Sequence, residues 1–372
     1  MPLDPVPVLT AMRGTAPYRR LAEVCGRARL RRAVDRGEVV ALGRGRYALP
    51  ASSQELRVAA ADGGVLSHLS AAQAHGWALS RRASHVHVTV PTRAHRSRTV
   101  SWRRHYAELS SDELGQGVTG PLRTVVDCAR SLPVPESLAV ADSALRSRAV
   151  DPVELTEAAA TVRGPGSRRA CLVLTHADDR PANAFESTLR GTLLAAGIDG
   201  FVPQLLVTGA GLLVAVDLGD PEARVALEAD GYGVHGTRRA FAADLARHDE
   251  LQSAGWITRR FAWEHIMLHP GWVVGQVCNA LDQQLFVRPR LRSNRSVQPR
   301  IGALQVDGPQ RWLPDPHQPA PAARPQHRSA PARPSTAPAP PQHHRPAPTS
   351  TDQHRPAPPS SKAQQHRPRA PP

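Results

Sequence analysis

The chain has 372 residues and a formal net charge of +15, more length than one hydrophobic core usually organises, so two or three modules are expected. From Arg288 onward 14 Lys and Arg residues face 3 acids, so this stretch carries +11 and leaves +4 for residues 1–287. Only one of the 47 basic residues is a lysine, Lys362, and it lies in the tail, which excludes any mechanism that needs a catalytic lysine in a folded domain.

Arginine favours planar, bidentate contacts with phosphate and guanine, although a GC-rich genome produces the same bias. The four cysteines, Cys25, Cys128, Cys171 and Cys278, form no CxxC pair, so reduced structural thiols are expected rather than a zinc site or a disulfide framework. The N-terminus has no signal-peptide pattern and no stretch approaches about 18 uninterrupted apolar residues. A cytoplasmic protein without a membrane partner is expected.

Residues 7–49 read as short helices followed by a hairpin, the order of a winged helix. In the third helix Leu30 and Val34 sit four apart and can face a core, while Arg27, Arg29, Arg31, Arg32 and Arg36 populate the rest. Such a helix suits the major groove. The turn Gly43-Arg44-Gly45-Arg46 would carry Arg44 and Arg46 toward a phosphate backbone, or form a solvated hairpin tip. Arg27, Arg31, Arg44 and Arg46 are the candidate DNA contacts.

Residues 51–165 mix helix and strand signals, an α+β region. Ser67 to Trp77 has helical spacing, His85 to Val90 alternates like a half-buried strand, and Pro121 to Ala129 reads as a helix with Pro in its first turn. His85 and His87 share one strand face and could pair on a metal, but no third ligand is evident, and an exposed strand face is expected. Asp127 and Asp142 read as capping or salt-bridging groups.

From Ala170 the pattern becomes helix, strand, strand, helix, strand, helix. Asn183 to Ala196 is a predicted helix carrying Glu186 and stopped by Gly197. Predicted strands Leu212–Leu218 and Arg224–Asp230 flank the turn Gly219-Asp220-Pro221-Glu222. A helix over Arg239–Ala254, a strand over Trp256–Phe261 and a helix over Pro270–Phe286 follow. Beyond residue 288 the chain repeats Gln-His-Arg, as at Gln326-His327-Arg328 and Gln353-His354-Arg355. With few large apolar residues this tail is expected to be disordered, holding DNA loosely by charge or acting as a spacer.

The chemistry concentrates in the hairpin. By the period of two, Glu228 and Asp230 share a face, and Asp217 lies on the neighbouring strand. Clustered carboxylates repel unless a cation or a proton intervenes. Oxygen ligands of this kind suit Mg²⁺ or Mn²⁺, which can activate water and polarise a phosphate. A tight hairpin centred on Pro221 would set Val214, not Asp217, opposite Glu228, so the cluster needs a bulge or a strong twist.

The run Val216-Asp217-Leu218, Arg224 to Gly231, His235, Asp244, Arg247, Leu251, Gly255-Trp256 and Arg260-Phe261 resembles the very-short-patch-repair-like branch of the PD-(D/E)XK nucleases over about 170–287. The resemblance implies a restriction-endonuclease-like mixed sheet flanked by helices. It further implies Asp217 and Glu228 as metal ligands, Asp230 in place of the usual lysine, Glu186 on the preceding helix and His235 as an acid/base group. Residues 7–160 resemble, more weakly, the winged helix and following region of type IV abortive-infection (AbiEi-like) antitoxins, which implies DNA, and a toxin or a second copy of the chain, as partners. Two functions stay open: a Mg²⁺-dependent DNA endonuclease, and an antitoxin-like regulator carrying a catalytically inactive nuclease fold.

Overall fold

The computed structural model describes residues 2–43, 45–94, 101–209, 212–230 and 238–287, which lie in one compact unit of mixed α and β structure. Arg44, His235 and the tail from Arg288 lie outside the described residues.

The N-terminal part runs α1 (Pro5–Ala11), β1 (Thr15–Pro17), α2 (Tyr18–Cys25), α3 (Arg27–Asp35), β2 (Val40–Leu42) and β3 (Arg46–Ala48). Asp4 caps α1 by accepting the N–H of Val6, with Pro5 in the first turn. The strands form an antiparallel sheet in the order β1-β3-β2. Leu9, Leu21, Cys25, Leu30, Ala33 and Val39 bury together; the inward positions of α3 are therefore Leu30 and Ala33, with Val34 half-buried beside them.

The middle part contains α4 (Gln54–Ala61), β4 (Val65–Leu66), α5 (His68–Ala74), β5 (His87–Val90), β6 (Arg103–Tyr106), α6 (Ser111–Gln116), α7 (Pro121–Ser131), α8 (Val134–Arg146), α9 (Pro152–Thr161) and α10 (Ser167–His176). β5 pairs antiparallel with β4 and parallel with β6. One helical core gathers Leu69, Val125, Cys128, Leu138, Ala144, Leu155, Val173 and Leu174. α10, at the expected start of the C-terminal domain near Ala170, buries Ala170, Val173 and Leu174 in this middle core.

The C-terminal part runs α11 (Ala184–Ala195), β7 (Val202–Gly209), β8 (Leu212–Asp220), β9 (Val225–Asp230), α12 (Arg238–Ser253), β10 (Ile257–Ala262), α13 (Trp263–Leu268) and α14 (Pro270–Val287). The four strands form a mixed sheet in the order β10-β9-β8-β7, with β10 parallel to β9 and the other pairs antiparallel. Leu218, Val225, Leu227 and Phe261 pack with Leu189 and Leu193 of α11 and with Val273 and Val277 of α14. On the opposite face Val214, Val216 and Ala226 pack with Leu251 of α12. The sheet thus lies between helices on both sides.

β7 and α13 had no clear sequence signal. Pro203 of β7 pairs with Leu218 on the outermost strand, where a missing N–H is tolerated. Contact between α8 and α11 joins the middle and C-terminal parts. A Cβ on Gly191 would come within 2.5 Å of the Pro135 backbone, so this crossing requires glycine. Beneath it the Arg190 guanidinium meets the fully buried Asp142 carboxylate at 3.0 Å.

Candidate active site

The β8–β9 turn is displaced from its expected place, and this decides which acids meet. The pairs are Leu218↔Leu227, Gly219↔Ala226 and Asp220↔Val225, so the turn is 221–224 rather than the Gly219–Glu222 tetrad. Buried Asp220 fixes it, its Oδ1 accepting the N–H groups of Glu222 at 3.1 Å and Ala223 at 2.9 Å. One step beyond the last pair this register sets Asp217, not Val214, opposite Glu228.

The alternation of β8 breaks at the same residue. Val216 and Leu218 are two apart and by strict pleating share a face, yet Val216 buries toward α12 and Leu218 toward α11 and α14. The neighbouring strand deforms in step. Between the pairs Pro203↔Leu218 and Leu205↔Val216 stands Gln204, at φ +49°, a left-handed conformation that costs free energy for any residue with a Cβ. Asp217 therefore sits at a kink, where its Oδ2 accepts the N–H of Ala229 at 2.8 Å.

Glu228 shares its face with Ala226, beneath α12, and is 8% exposed. Its Oε1 forms an ion pair with Arg247 Nη2 at 2.9 Å without making a well-aligned hydrogen bond. Burial first, and the nearby Asp217 second, push its carboxyl up to about 7, against the pull of Arg247. Burial likewise raises Asp217, with Asp230 adding to it, while the Ala229 N–H and Arg247 oppose the rise.

Asp230 is held differently. Arg260, on the adjacent parallel strand, grips it with Nε–Oδ2 at 2.8 Å and Nη2–Oδ1 at 3.0 Å and also bonds Asp244 of α12. Asp244 lies 3.8 Å from Arg247. The face thus carries an alternating chain of charge, Glu228–Arg247–Asp244–Arg260–Asp230. Arg247 and Arg260 are the parts of this site to which the sequence reading gave no role, although both stood in the matched run. His248, also on α12, meets the Thr258 hydroxyl at 3.0 Å.

Glu186 lies in the first turn of α11, 3% exposed. Its oxygens accept from Ala182 N and Gln204 Nε2 at 2.8 Å and from Asn183 Nδ2 at 2.7 Å. Burial and the charge of Asp217 raise its pKa against those hydrogen bonds. Glu186 therefore braces Gln204, and through it the Asp217 kink, with its own carboxylate already engaged.

Of the four arginines expected at DNA, Arg27 and Arg31 are exposed on α3. Arg46 is not. It is 7% exposed, its Nη1 and Nη2 reach the carbonyls of Leu114 and Gly64 at 3.4 Å, and burial lowers its pKa. The alternation of β3 is the reason: Arg46 and Ala48 bury while Tyr47 between them is half-exposed.

No family model matches the chain. Two uncharacterized proteins of Mycobacterium tuberculosis, MT2308 of strain CDC 1551 and Rv2248 of strain H37Rv, are each 30% identical to it over 171 residues, 45% of this chain. The chain spans 63% of the length of these relatives. The crystal structure of the RV2827C protein from Mycobacterium tuberculosis is 18% identical, covers 53% of this chain and 81% of that one, and superposes with a TM-score of 0.26.

Proposed function

We propose that the chain is a DNA-binding protein whose C-terminal part hydrolyses DNA phosphodiester bonds with a divalent metal. In this reading residues 5–49 form a winged helix that retains the substrate through Arg27 and Arg31. Residues 184–287 then form a restriction-endonuclease-like domain of the very-short-patch-repair-like kind. One observation supports it above the others: the buried Glu228 carboxyl, beside Asp217 at a strand kink, has an oxygen with no well-aligned hydrogen bond.

Such a group fits a hard cation, and Asp217 and Glu228 are the residues that would hold Mg²⁺ or Mn²⁺. The metal, when bound, supplies Lewis-acid polarisation of a phosphate oxygen and a more acidic water. The protein supplies the rest. Glu186 holds the Gln204–Asp217 kink in place, and Arg247 contributes the positive charge that the usual lysine gives in this motif. Asp230, neutralised by Arg260, positions that strand end. His235 keeps its acid/base role in this reading from sequence alone.

The competing reading is an antitoxin-like regulator with an idle nuclease fold, acting with a toxin or as a homodimer. It is favoured by the pairing of Glu228 with Arg247 and of Asp230 with Arg260, which balances the acids without a metal. Incubating purified protein with supercoiled and linear DNA under Mg²⁺, Mn²⁺ or EDTA separates the two. Metal-dependent cleavage that the Asp217→Ala/Glu228→Ala variant lacks supports the enzyme. DNA retention without cleavage under any metal supports the regulator. Among the described residues no helix is long and apolar enough to cross a membrane.

A further inference from the structure

Of His85 and His87, expected together on an exposed strand face, only His85 is exposed. His85 is exposed and bonds Ser84 at 3.0 Å, whereas His87 is 8% exposed and faces two imidazoles from elsewhere in the chain. In the parallel register of β5 and β6, His87 stands opposite Arg103 and Thr89 opposite His105, so His87 and His105 project from the same face. His87 Nδ1 lies 3.1 Å from His105 Nε2. His68 opens α5 at φ +52°, 7% exposed, with its ring stacked on His105 at a centroid distance of 3.6 Å.

We propose that His68, His87 and His105 bind one transition-metal ion of the Zn²⁺ class. One ligand nitrogen from each lies within 4.8 Å of the others, and they are the one such group of three among the described residues. Tetrahedral Zn–N bonds of about 2.05 Å set ligand nitrogens about 3.3 Å apart. The His87–His105 separation of 3.1 Å is close to this, so a bound ion would take the place of the hydrogen bond between those nitrogens, and His68, stacked flat on His105, would turn its ring toward it. Imidazole nitrogens select Zn²⁺, Co²⁺ or Ni²⁺ over Mg²⁺, so this centre and the carboxylate pair take different ions.

The surroundings prepare the ligands. Ser67 Oγ lies 3.0 Å from His68 Nδ1, an outer partner that orients that ring, and the backbone N–H of His87 donates to Ser70 Oγ at 2.9 Å, which fixes the strand beneath its ring. The positive φ of His68 belongs to the same design, because a side chain placed by strained backbone persists only where the surroundings fix it. Three protein ligands leave the fourth position to water, on the half-buried His105 side. The ion would tie the start of α5 to both strands.

The test is Co²⁺ titration of the full chain after removal of metal by chelator, read as visible absorption. One equivalent with the intense bands of a tetrahedral ion, displaced by Zn²⁺ and accompanied by a higher Tm, is the expected result. A His87→Gln/His105→Gln variant should lose the bands. Asp217→Asn/Glu228→Gln should keep them, as should replacement of the tail histidines His317, His327, His343, His344, His354 and His366 by Gln. If the double variant does not fold, His105→Gln alone decides: losing an outer partner costs roughly 10–100-fold in affinity, and losing a ligand at least as much. Absence of tetrahedral bands in the wild type, or identical titrations of wild type and His105→Gln, overturns the assignment.

Discussion

The Asp217 carboxylate takes the N–H of Ala229 at 2.8 Å, and this bond stands where the next rung of the β8–β9 ladder would begin. A side chain replaces a carbonyl as acceptor just beyond Leu218↔Leu227. The strand can then kink at Asp217 without leaving a buried N–H unsatisfied. The kink brings the carboxylate between Glu186 on one side of the sheet and Glu228 on the other, and both groups sense its charge.

Glu228→Gln should abolish metal-dependent cleavage while leaving the fold and DNA affinity nearly unchanged, because it removes a charge from the strand face without changing volume. Calorimetry should show weaker Mn²⁺ binding. Cleavage at the wild-type rate would sink the assignment of Glu228 as a ligand.

The same substitution has a signature in stability when divalent metal is absent. Burial raises the Glu228 carboxyl from 4.5 to about 7 in the folded protein. Its contribution is therefore fully present below pH 4.5 and is lost as pH rises through 7, when the buried group must ionise. The size is on the order of 3 kcal/mol. With EDTA present, the wild type should lose stability relative to Glu228→Gln between about pH 5 and 8 in thermal melts. Parallel pH profiles would mean that Glu228 is not strained in the folded state.

The elements were largely legible where periodicity was strong. α11, α12, α14 and β10 lie within a few residues of their expected spans, because Asn183, Gly197 and Gly255 mark helix ends locally. What the sequence could not carry was anything set between distant segments. The turn was misplaced because Pro221 drew it forward, whereas the Asp220 side chain fixes it two residues later. His105 met His87 through the parallel pairing of β5 with β6, and His68 met it through the antiparallel pairing of β4 with β5; no local spacing encodes either. Arg46 looked like a hairpin tip because the alternation of a three-residue strand is too short to show which side is buried.

Asp142 and Arg190 offer a test away from the site. Both side chains are buried, and Asp142 also accepts the N–H of Asp178 at 2.8 Å. Asp142→Ala leaves a buried guanidinium without its partner, which should cost about 3–5 kcal/mol. A double Asp142→Leu/Arg190→Met variant should recover most of that loss, since replacing both members of a buried pair by apolar groups is often neutral. Chemical denaturation measures both. A loss under 1 kcal/mol in Asp142→Ala would show that the α8–α11 contact does not depend on this pair.

The last prediction separates arginines that sequence alone placed together. Arg27 and Arg31 are exposed on α3, so replacing both by Ala should weaken binding to short duplexes and flatten its salt dependence as phosphate contacts are lost. Thermal stability should change little. Arg46→Ala should do the reverse, because that side chain reaches the Gly64 and Leu114 carbonyls from inside the protein and its removal opens a void between the N-terminal sheet and the middle part. Its melting temperature should fall by several degrees while the salt slope of DNA binding stays at the wild-type value. Equal affinity of the Arg27/Arg31 variant and the wild type across a salt series would remove α3 from the DNA interface and leave it to a protein partner. A lost salt contact in Arg46→Ala with unchanged stability would restore Arg46 to the DNA-facing surface.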